Sequence, residues 1–296
     1  MVNSTLTHQS VASAGVSTVV AYQGTEGAWG HIAGRRHFGG RGVPAEFRAF
    51  DTFRDALEAV RSGRAQAAML PIENTTAGSI NEAYDLLAQM DLAIAGEEIQ
   101  RVDHCLMALG AVPPDRLTRI LSHPQAIAQC AAFLRTLPQC HVESFANTAL
   151  AARRVRDDGD PFQAAIGSEE AARAWDLTVI ARDITDQREN YTRFVVVGPR
   201  LVPCAAEVPA KTSLMFSTRH ERGALAACLN VLARTGHNLL KIESRPKLGS
   251  PFEYLFYVDV EGNIADARTA GALEELGAHV VSLKVLGCYP ISSRPA

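Results

Sequence analysis

Asn190-Tyr-Thr-Arg-Phe-Val-Val-Val197 sets a polar start against an apolar, β-branched strand. Pro71-Ile-Glu-Asn-Thr75 and Ser122-His-Pro-Gln125 place polar residues in a similar way, at the ends of the short apolar runs 65–72 and 117–121. Open α/β sheets bind their ligands in the crevice outside the strand ends. Three such junctions in one chain predict an α/β fold with a polar site at those ends.

Outward from these junctions, residues 18–197 alternate short apolar runs with amphipathic stretches, as sheet strands alternate with covering helices. Thr18-Val-Val-Ala-Tyr22 reads as a strand that breaks at Gly24 and Gly27. Ser79 and Glu82 have capping-box spacing and predict a helix through Leu87. His123-Pro124 puts proline at a first helical position. Residues 142–145 precede a helix opened by Asn147 or Thr148, and 164–167 precede one opened by Ser168.

Residues 198–210 carry three prolines and read as a linker. Beyond it the order is strand 213–217, helix 223–235, strand 239–244, strand 253–260, helix 265–276 and strand 280–286. That is the ferredoxin-like βαββαβ arrangement. The expected division is a loose tail at 1–17, an α/β unit at 18–197, the linker, and a second unit at 211–290.

A chain of 296 residues with 47% hydrophobic content suffices for two or three cores. Its formal charge of −3 argues against a nucleic-acid binder, which would carry a basic stripe. The mixed cluster Arg153-Arg154-Val-Arg156-Asp157-Asp158 and the sparse one at 116–119 read as solvated helix faces. Six scattered cysteines, at 105, 130, 140, 204, 228 and 288, show no zinc spacing and fit reduced thiols in the cytoplasm. The tail lacks the charged start and apolar run of a signal peptide, and no stretch is long and apolar enough for a membrane span.

The candidate polar groups are Glu73, Asn74, Thr75, Ser122, Asn147, Thr148 and Ser168. Capping accounts for Ser122, Thr148 and Ser168 one by one; it does not account for Asn74 or Gln129. Gln129 follows Ser122 by seven residues, about two helical turns, and so faces nearly the same side. Gly24-Thr-Glu-Gly27 fits neither common nucleotide motif and reads as a tight turn that lets backbone approach a ligand. No histidine has metal spacing, and His123 reads as the cap of the helix at Pro124. Strand alternation sends Thr192 and Phe194 to one face and Arg193 to the other. Thr192 is therefore the better candidate for the cleft, and Arg193 for an ion pair that holds the strand.

The chain resembles the prephenate dehydratases that carry a C-terminal ACT regulatory domain. The likeness runs from about Val19 to Tyr289. It rests on Leu70-Pro-Ile-Glu-Asn-Thr-Thr-Ala-Gly-Ser79, Ser122-His-Pro-Gln-Ala-Ile-Ala-Gln-Cys130, Asn147-Thr-Ala-Leu-Ala151 and Asn190-Tyr-Thr-Arg-Phe194, in the family's order. Arg222-Gly-Ala-Leu225 and Ile242-Glu-Ser-Arg-Pro246 resemble the two effector-binding motifs. Two departures stand out. The family's Gly-Pro-Glu-Gly-Thr-Phe-Ser is here Gly24-Thr-Glu-Gly-Ala-Trp-Gly30, without either hydroxyl, and Asn147 stands where a serine is frequent. Only a short tail precedes the first strand, so no N-terminal chorismate mutase segment is expected.

The resemblance implies a two-lobed catalytic domain of periplasmic-binding-protein-like architecture with a central cleft, followed by the ACT domain. It implies the decarboxylating dehydration of prephenate to phenylpyruvate, without metal or cofactor and under control by L-phenylalanine, in a cytoplasmic homodimer or homotetramer. Thr192, Asn74, Ser122 and Gln129 would carry catalysis, and Thr75, Thr148 and Arg193 substrate binding. Gly223, Ala224, Leu225, Glu243, Ser244, Arg245 and Pro246 would hold the effector. Arogenate dehydration and a non-catalytic amino-acid sensor remain as alternatives; joint retention of Asn74, Gln129 and Thr192 weighs against the sensor.

Overall fold

Parallel strands need crossover connections, and the helical stretches between the apolar runs supply them. A computed structural model describes residues 17–292; the tail expected at 1–17 lies outside these apart from its last residue. The chain begins with β1 (Thr18–Gln23), α1 (Trp29–Gly39), β2 (Ala45–Phe50), α2 (Phe53–Arg61), β3 (Ala67–Asn74), the two-residue β4 (Gly78–Ser79), α3 (Asn81–Gln89) and β5 (Ala93–Arg101). It then builds a second lobe from β6 (Cys105–Ala108), β7 (Arg119–Ser122), α4 (Pro124–Gln129), α5 (Ala131–Leu134), β8 (His141–Ser144), α6 (Thr148–Asp158), β9 (Gln163–Gly167), α7 (Glu169–Ala174) and β10 (Thr178–Ala181). β11 (Tyr191–Gly198) returns it to the first lobe, antiparallel between β5 and β3.

The two chain crossings lie side by side, with Tyr191 opposite Arg101 and the Val102 N–H donating to the Asn190 carbonyl at 2.8 Å. Asn190 and Thr192 therefore begin β11 at the hinge between the lobes. The second lobe is a five-strand sheet, ordered β10-β6-β9-β7-β8. Helix α6 packs on it through Ala149, Ala151, Ala152 and Val155, all fully buried, small side chains that let the helix lie close to the strands.

The C-terminal part is β12 (Ala210–Ser217), α8 (Ala224–Arg234), β13 (Leu239–Pro246), β14 (Tyr254–Glu261), α9 (Ala267–His279) and β15 (Ser282–Pro290). Its βαββαβ order is the one expected. Its sheet runs β13-β14-β12-β15 and continues through β5 into the first lobe, ten strands in all. The joint is narrow: one register pair, Gly287 with Ile94. A side chain at Gly287 would put its Cβ 2.1 Å from the Ile94 carbonyl oxygen. Among the described residues no helix is long and apolar enough to cross a membrane, and all six cysteines are free.

Two local expectations need correction. Ser79 does not cap α3: the N-cap position is Ile80, with no side-chain hydrogen bond, because Ser79 pairs in β4 and bonds Glu243 and Lys241 of the C-terminal part. The turn at Gly27 does approach closely, but to the other lobe. Its φ is +82°, a Cβ there would lie 2.4 Å from Ala171 Cα on α7, and its carbonyl accepts from Ser168 Oγ at 2.7 Å. The β1–α1 loop thus clamps one lobe onto the other. Gly27→Ala should lower stability by about 1–3 kcal/mol from the left-handed backbone alone, with further loss from the clash. A urea midpoint indistinguishable from wild type would show that this contact is not closed in solution.

Candidate active site

A cavity of about 380 Å³ lies between the lobes. Asn74 ends β3, Thr192 stands beside it in register on β11, Gln125 and Gln129 come from α4, and Asn147 and Thr148 open α6. A side pocket of about 150 Å³ shares Thr192, Thr148 and Trp29 and extends past Ala28 and Gly30 to Met69 and Phe194. The hydroxyls absent at positions 28 and 30 would have projected from this wall.

The backbone sets the orientation of Asn74, and the other amides take theirs from it and from one another. Asn74 Oδ1 accepts from the Thr76 and Ala77 N–H groups, both at 3.0 Å, which turns Nδ2 the other way. Nδ2 then donates toward Asn190 Oδ1 (2.8 Å), the Tyr191 carbonyl (3.2 Å) and Thr192 Oγ (3.0 Å). Asn190 Nδ2 in turn donates to Gln129 Oε1 at 3.2 Å, and Gln129 Nε2 donates to Thr76 Oγ at 2.5 Å. Because Thr192 Oγ already accepts from Asn74, its own proton remains to be donated, and Thr192 lines the cavity. The site holds a hydroxyl arranged as a hydrogen-bond donor.

His104 completes the network through Nε2, 3.1 Å from Gln129 Oε1. That oxygen only accepts, so Nε2 carries the proton and Nδ1 does not. Burial pushes the His104 pKa down to about 4, the bond to Gln129 opposing and nearby His123 adding to the shift. The imidazole is therefore neutral at pH 7. His104 Nδ1, Trp29 Nε1 and Asn147 Nδ2 are buried without a protein partner, and all three residues line the cavity.

No lysine or arginine is among the described residues lining the cavity, whereas Asp51 and Glu82 are. Positive potential comes instead from helix starts. Trp29 begins α1, Phe53 begins α2 and Thr148 begins α6, and all three lie on the wall. Neither α1 nor α6 has an acidic residue in its first turn, and α1 has no side-chain cap. Free N–H groups and the helix dipole at such ends receive carboxylates.

Of the expected site residues, Thr192, Asn74, Gln129 and Thr148 meet in the cleft. Ser122 does not. It is fully buried, its Oγ donates to the Ile166 carbonyl at 2.7 Å, and α4 starts only at Pro124, capped by His123 as expected. Thr75 is exposed and ties its hydroxyl to the Glu189 carbonyl (3.0 Å) and the Tyr191 N–H (2.9 Å), bracing the hinge rather than facing the cavity. Arg193 points through the sheet away from the cleft, to Glu97, Asp259 and Tyr289, so its assignment to substrate binding is corrected.

The effector motifs separate in the same way. Gly223, with φ +79°, precedes α8, and Ala224 and Leu225 line a cavity of about 410 Å³ with Phe252 and Tyr254. On β13, Glu243 and Arg245 turn inward, Glu243 to Ser79 and Arg245 to Asp85 at 2.8 and 3.0 Å, while Ser244 and Pro246 face outward. Gln125 lies inside the polar junction Ser122-His-Pro-Gln125 but is not among the expected site residues, and Thr76 and His104 are not among them either. The signal for Thr76 and His104 is spatial, since both reach Gln129 from other segments.

The fold and cleft define a two-lobed α/β enzyme with an appended ferredoxin-like domain. The family model for prephenate dehydratase matches residues 20–201. The bifunctional chorismate mutase/prephenate dehydratase of Enterobacter agglomerans is 39% identical over 281 residues, 92% of this chain and 70% of that protein. Arogenate dehydratase/prephenate dehydratase 2 of Arabidopsis thaliana, a chloroplastic protein, is 39% identical over 284 residues, 93% and 73% of the two chains. Among solved structures, prephenate dehydratase of Arthrobacter aurescens in complex with L-Phe has a TM-score of 0.84 at 31% identity, covering 92% of this chain and 90% of that one. GqqA, described as a novel type of quorum quenching acylase, also gives 0.84, at 33% identity over 93% and 98%. The chain belongs to the prephenate dehydratase family.

His104 gives the cleft a pH signature. Ordinary imidazole titrates near 6.5, whereas His104 stays neutral in the fold to about 4. As pH falls below 6.5 the unfolded chain takes up a proton that the folded protein refuses. This contribution to stability is whole above about pH 6.5 and is lost progressively toward about pH 4. His104→Gln should flatten the fall in urea midpoint between pH 6.5 and 4.5. An unchanged slope would mean that other histidines, such as His31 and His123, both also lowered by burial, carry the effect.

Proposed function

We propose that this chain converts prephenate to phenylpyruvate, water and carbon dioxide, and that L-phenylalanine regulates it through the C-terminal domain. The observation that carries this reading is the 3.0 Å bond from Asn74 Nδ2 to Thr192 Oγ at the cavity wall. Prephenate has two carboxylates and a ring hydroxyl opposite the carbon that loses carbon dioxide. As the ring carboxylate leaves, the electrons of its C–C bond enter the ring and aromatise it, and the opposite hydroxyl departs with its bonding pair. Negative charge grows on that leaving oxygen. The Thr192 O–H donates to it while Asn74 keeps the hydroxyl turned outward. A threonine hydroxyl is too weak an acid to surrender its proton, so Thr192 stabilises the departing oxygen by hydrogen bonding alone, and the one proton that turns the departing hydroxide into water is taken up from bulk solvent.

The carboxylates are received by helix N-termini and amide donors rather than by cations: the starts of α1 and α6, with Trp29 Nε1 and Asn147 Nδ2 as unpartnered N–H donors on the same wall. Dipoles fixed before the reaction need no reorganisation as charge moves, which is how a site without a catalytic acid stabilises a transition state. Gln125, Gln129 and Thr148 orient the substrate, and the side pocket at Met69 and Phe194 suits its ring. A second reading is arogenate, whose ammonium group would suit Asp51 or Glu82 at the cavity. For the effector, the cavity at Ala224 and Leu225 beside Gly223 fits a small amino acid with an apolar side chain. The assembly is a homodimer or homotetramer of a cytoplasmic enzyme, a location in keeping with six free thiols.

Purified protein supplied with prephenate and with arogenate should form phenylpyruvate, read by its ultraviolet absorbance in alkali, or phenylalanine, read by chromatography. Absence of turnover with both would overturn the enzymatic reading. Thr192→Val keeps the strand and deletes the donor, and should lower kcat by ~10²–10³ with a smaller change in KM. A variant within a few-fold of wild type would assign the leaving oxygen to another group.

A further inference from the structure

Arg193 follows Thr192 on β11 and leaves the sheet on the opposite face, where it meets the C-terminal domain. Its Nε donates to Glu97 on β5 at 2.8 Å; its two terminal nitrogens donate to Asp259 on β14 at 2.5 Å and to the Tyr289 hydroxyl on β15 at 3.0 Å. Because Ser213 Oγ gives its proton to the Asp259 carboxylate (2.5 Å), the Tyr289 hydroxyl is the donor in its 2.6 Å contact with Ser213 Oγ. Lys211 Nζ closes the cluster on Glu97 at 2.8 Å. Two cations face two buried anions, none of the four side chains being more than 11% exposed, and a third, partly exposed carboxylate, Glu73, lies 3.8 Å from Arg193. Burial alone would lower the Arg193 pKa, but Asp259, Tyr289 and Glu97 together hold it above its ordinary value.

The backbone explains why this anchor matters for Thr192. The β11–β3 ladder pairs Thr192 with Asn74 and Arg193 with Glu73, then slips between Arg193 and Phe194. The β5 ladder on the other side stays regular from Tyr191 to Val196, so the irregularity lies on the β3 side alone, the side that holds Asn74 against Thr192. The guanidinium, held on three sides, pins the strand at that point.

We propose that Arg193 is a positioning residue for Thr192, and that the C-terminal domain completes the catalytic wall by anchoring Arg193 through Asp259 and Tyr289. This rests on the assignment of Thr192 as donor to the leaving hydroxyl. An effector that shifts β14 or β15 then acts on turnover through Thr192 rather than on substrate contacts.

The test uses the full chain. Asp259→Asn removes one charge at constant shape, and Tyr289→Phe removes a single hydroxyl and keeps the fold if the first variant does not. Each should lower kcat at least ~5-fold, the lower end of a typical coupling between sites, with KM within two-fold. In a Thr192→Val background each should have no further effect, because a residue that acts through Thr192 has nothing left to position. Amide exchange at Thr192 should speed up in both variants, a readout independent of activity. Wild-type kcat in both variants, equal losses in the Thr192→Val background, or unchanged exchange would overturn the proposal. Lack of turnover by the wild type would instead overturn the catalytic reading, leaving the exchange result to decide the anchor.

Discussion

The pairing of β3 with β11 is the constraint on which the rest depends. In register, Thr192 stands beside Asn74 and Arg193 beside Glu73. Since side chains alternate across a sheet, one residue pair faces the cleft and the next faces the C-terminal domain. Asn74 and Thr192 share a hydrogen bond on one side; on the other, Arg193 reaches Asp259, and Glu73 lies 3.2 Å from Lys241. A shift of the register by one residue would exchange the two faces and put charged groups into the cleft.

Among the described residues the cleft has no cation on its wall. A lysine or arginine there would bind any carboxylate strongly, in the ground state as well as in the transition state, and only differential stabilisation accelerates a reaction. Helix starts and amides supply weaker, fixed dipoles. The amide orientations are not free choices, because the Thr76 and Ala77 N–H groups set Asn74, and Asn74 sets Asn190 and Thr192. The backbone of one turn thereby aims the hydroxyl on another strand.

The segment of β13 expected to hold an effector is divided by the same alternation. Lys241, Glu243 and Arg245 bind the first lobe at Glu73, Ser79 and Asp85, while Leu240, Ile242 and Ser244 face outward. The inward set ties the C-terminal domain to α3 and β4, so the motif joins domains as well as offering a surface. Asn147 likewise has two tasks: Oδ1 caps α6 at the Leu150 N–H (2.7 Å), and Nδ2 stays unpartnered at the cavity.

Local rules in the sequence determined much of this. Apolar runs ending in polar residues specified β1, β3, β7, β8 and β9 to within about two residues, and the βαββαβ order of the C-terminal domain was legible from periodicity. So was the direction of Thr192 and Arg193, because alternation is a local property. Position after strand ends brought Asn74 and Thr148 to the site, helical spacing brought Gln129, and the motif resemblance supplied their expected roles. Tertiary structure alone decided what each side chain touches. Ser122 had the same polar character as Asn74, yet the path from β7 to α4 buries it against Ile166. Ser79 had cap spacing, but a partner 164 residues away claimed its hydroxyl. His104 carried no local mark, and only burial and Gln129 define its role. Local propensity acts between near neighbours, whereas partners for buried polar groups are found across the fold, where sequence distance carries no information.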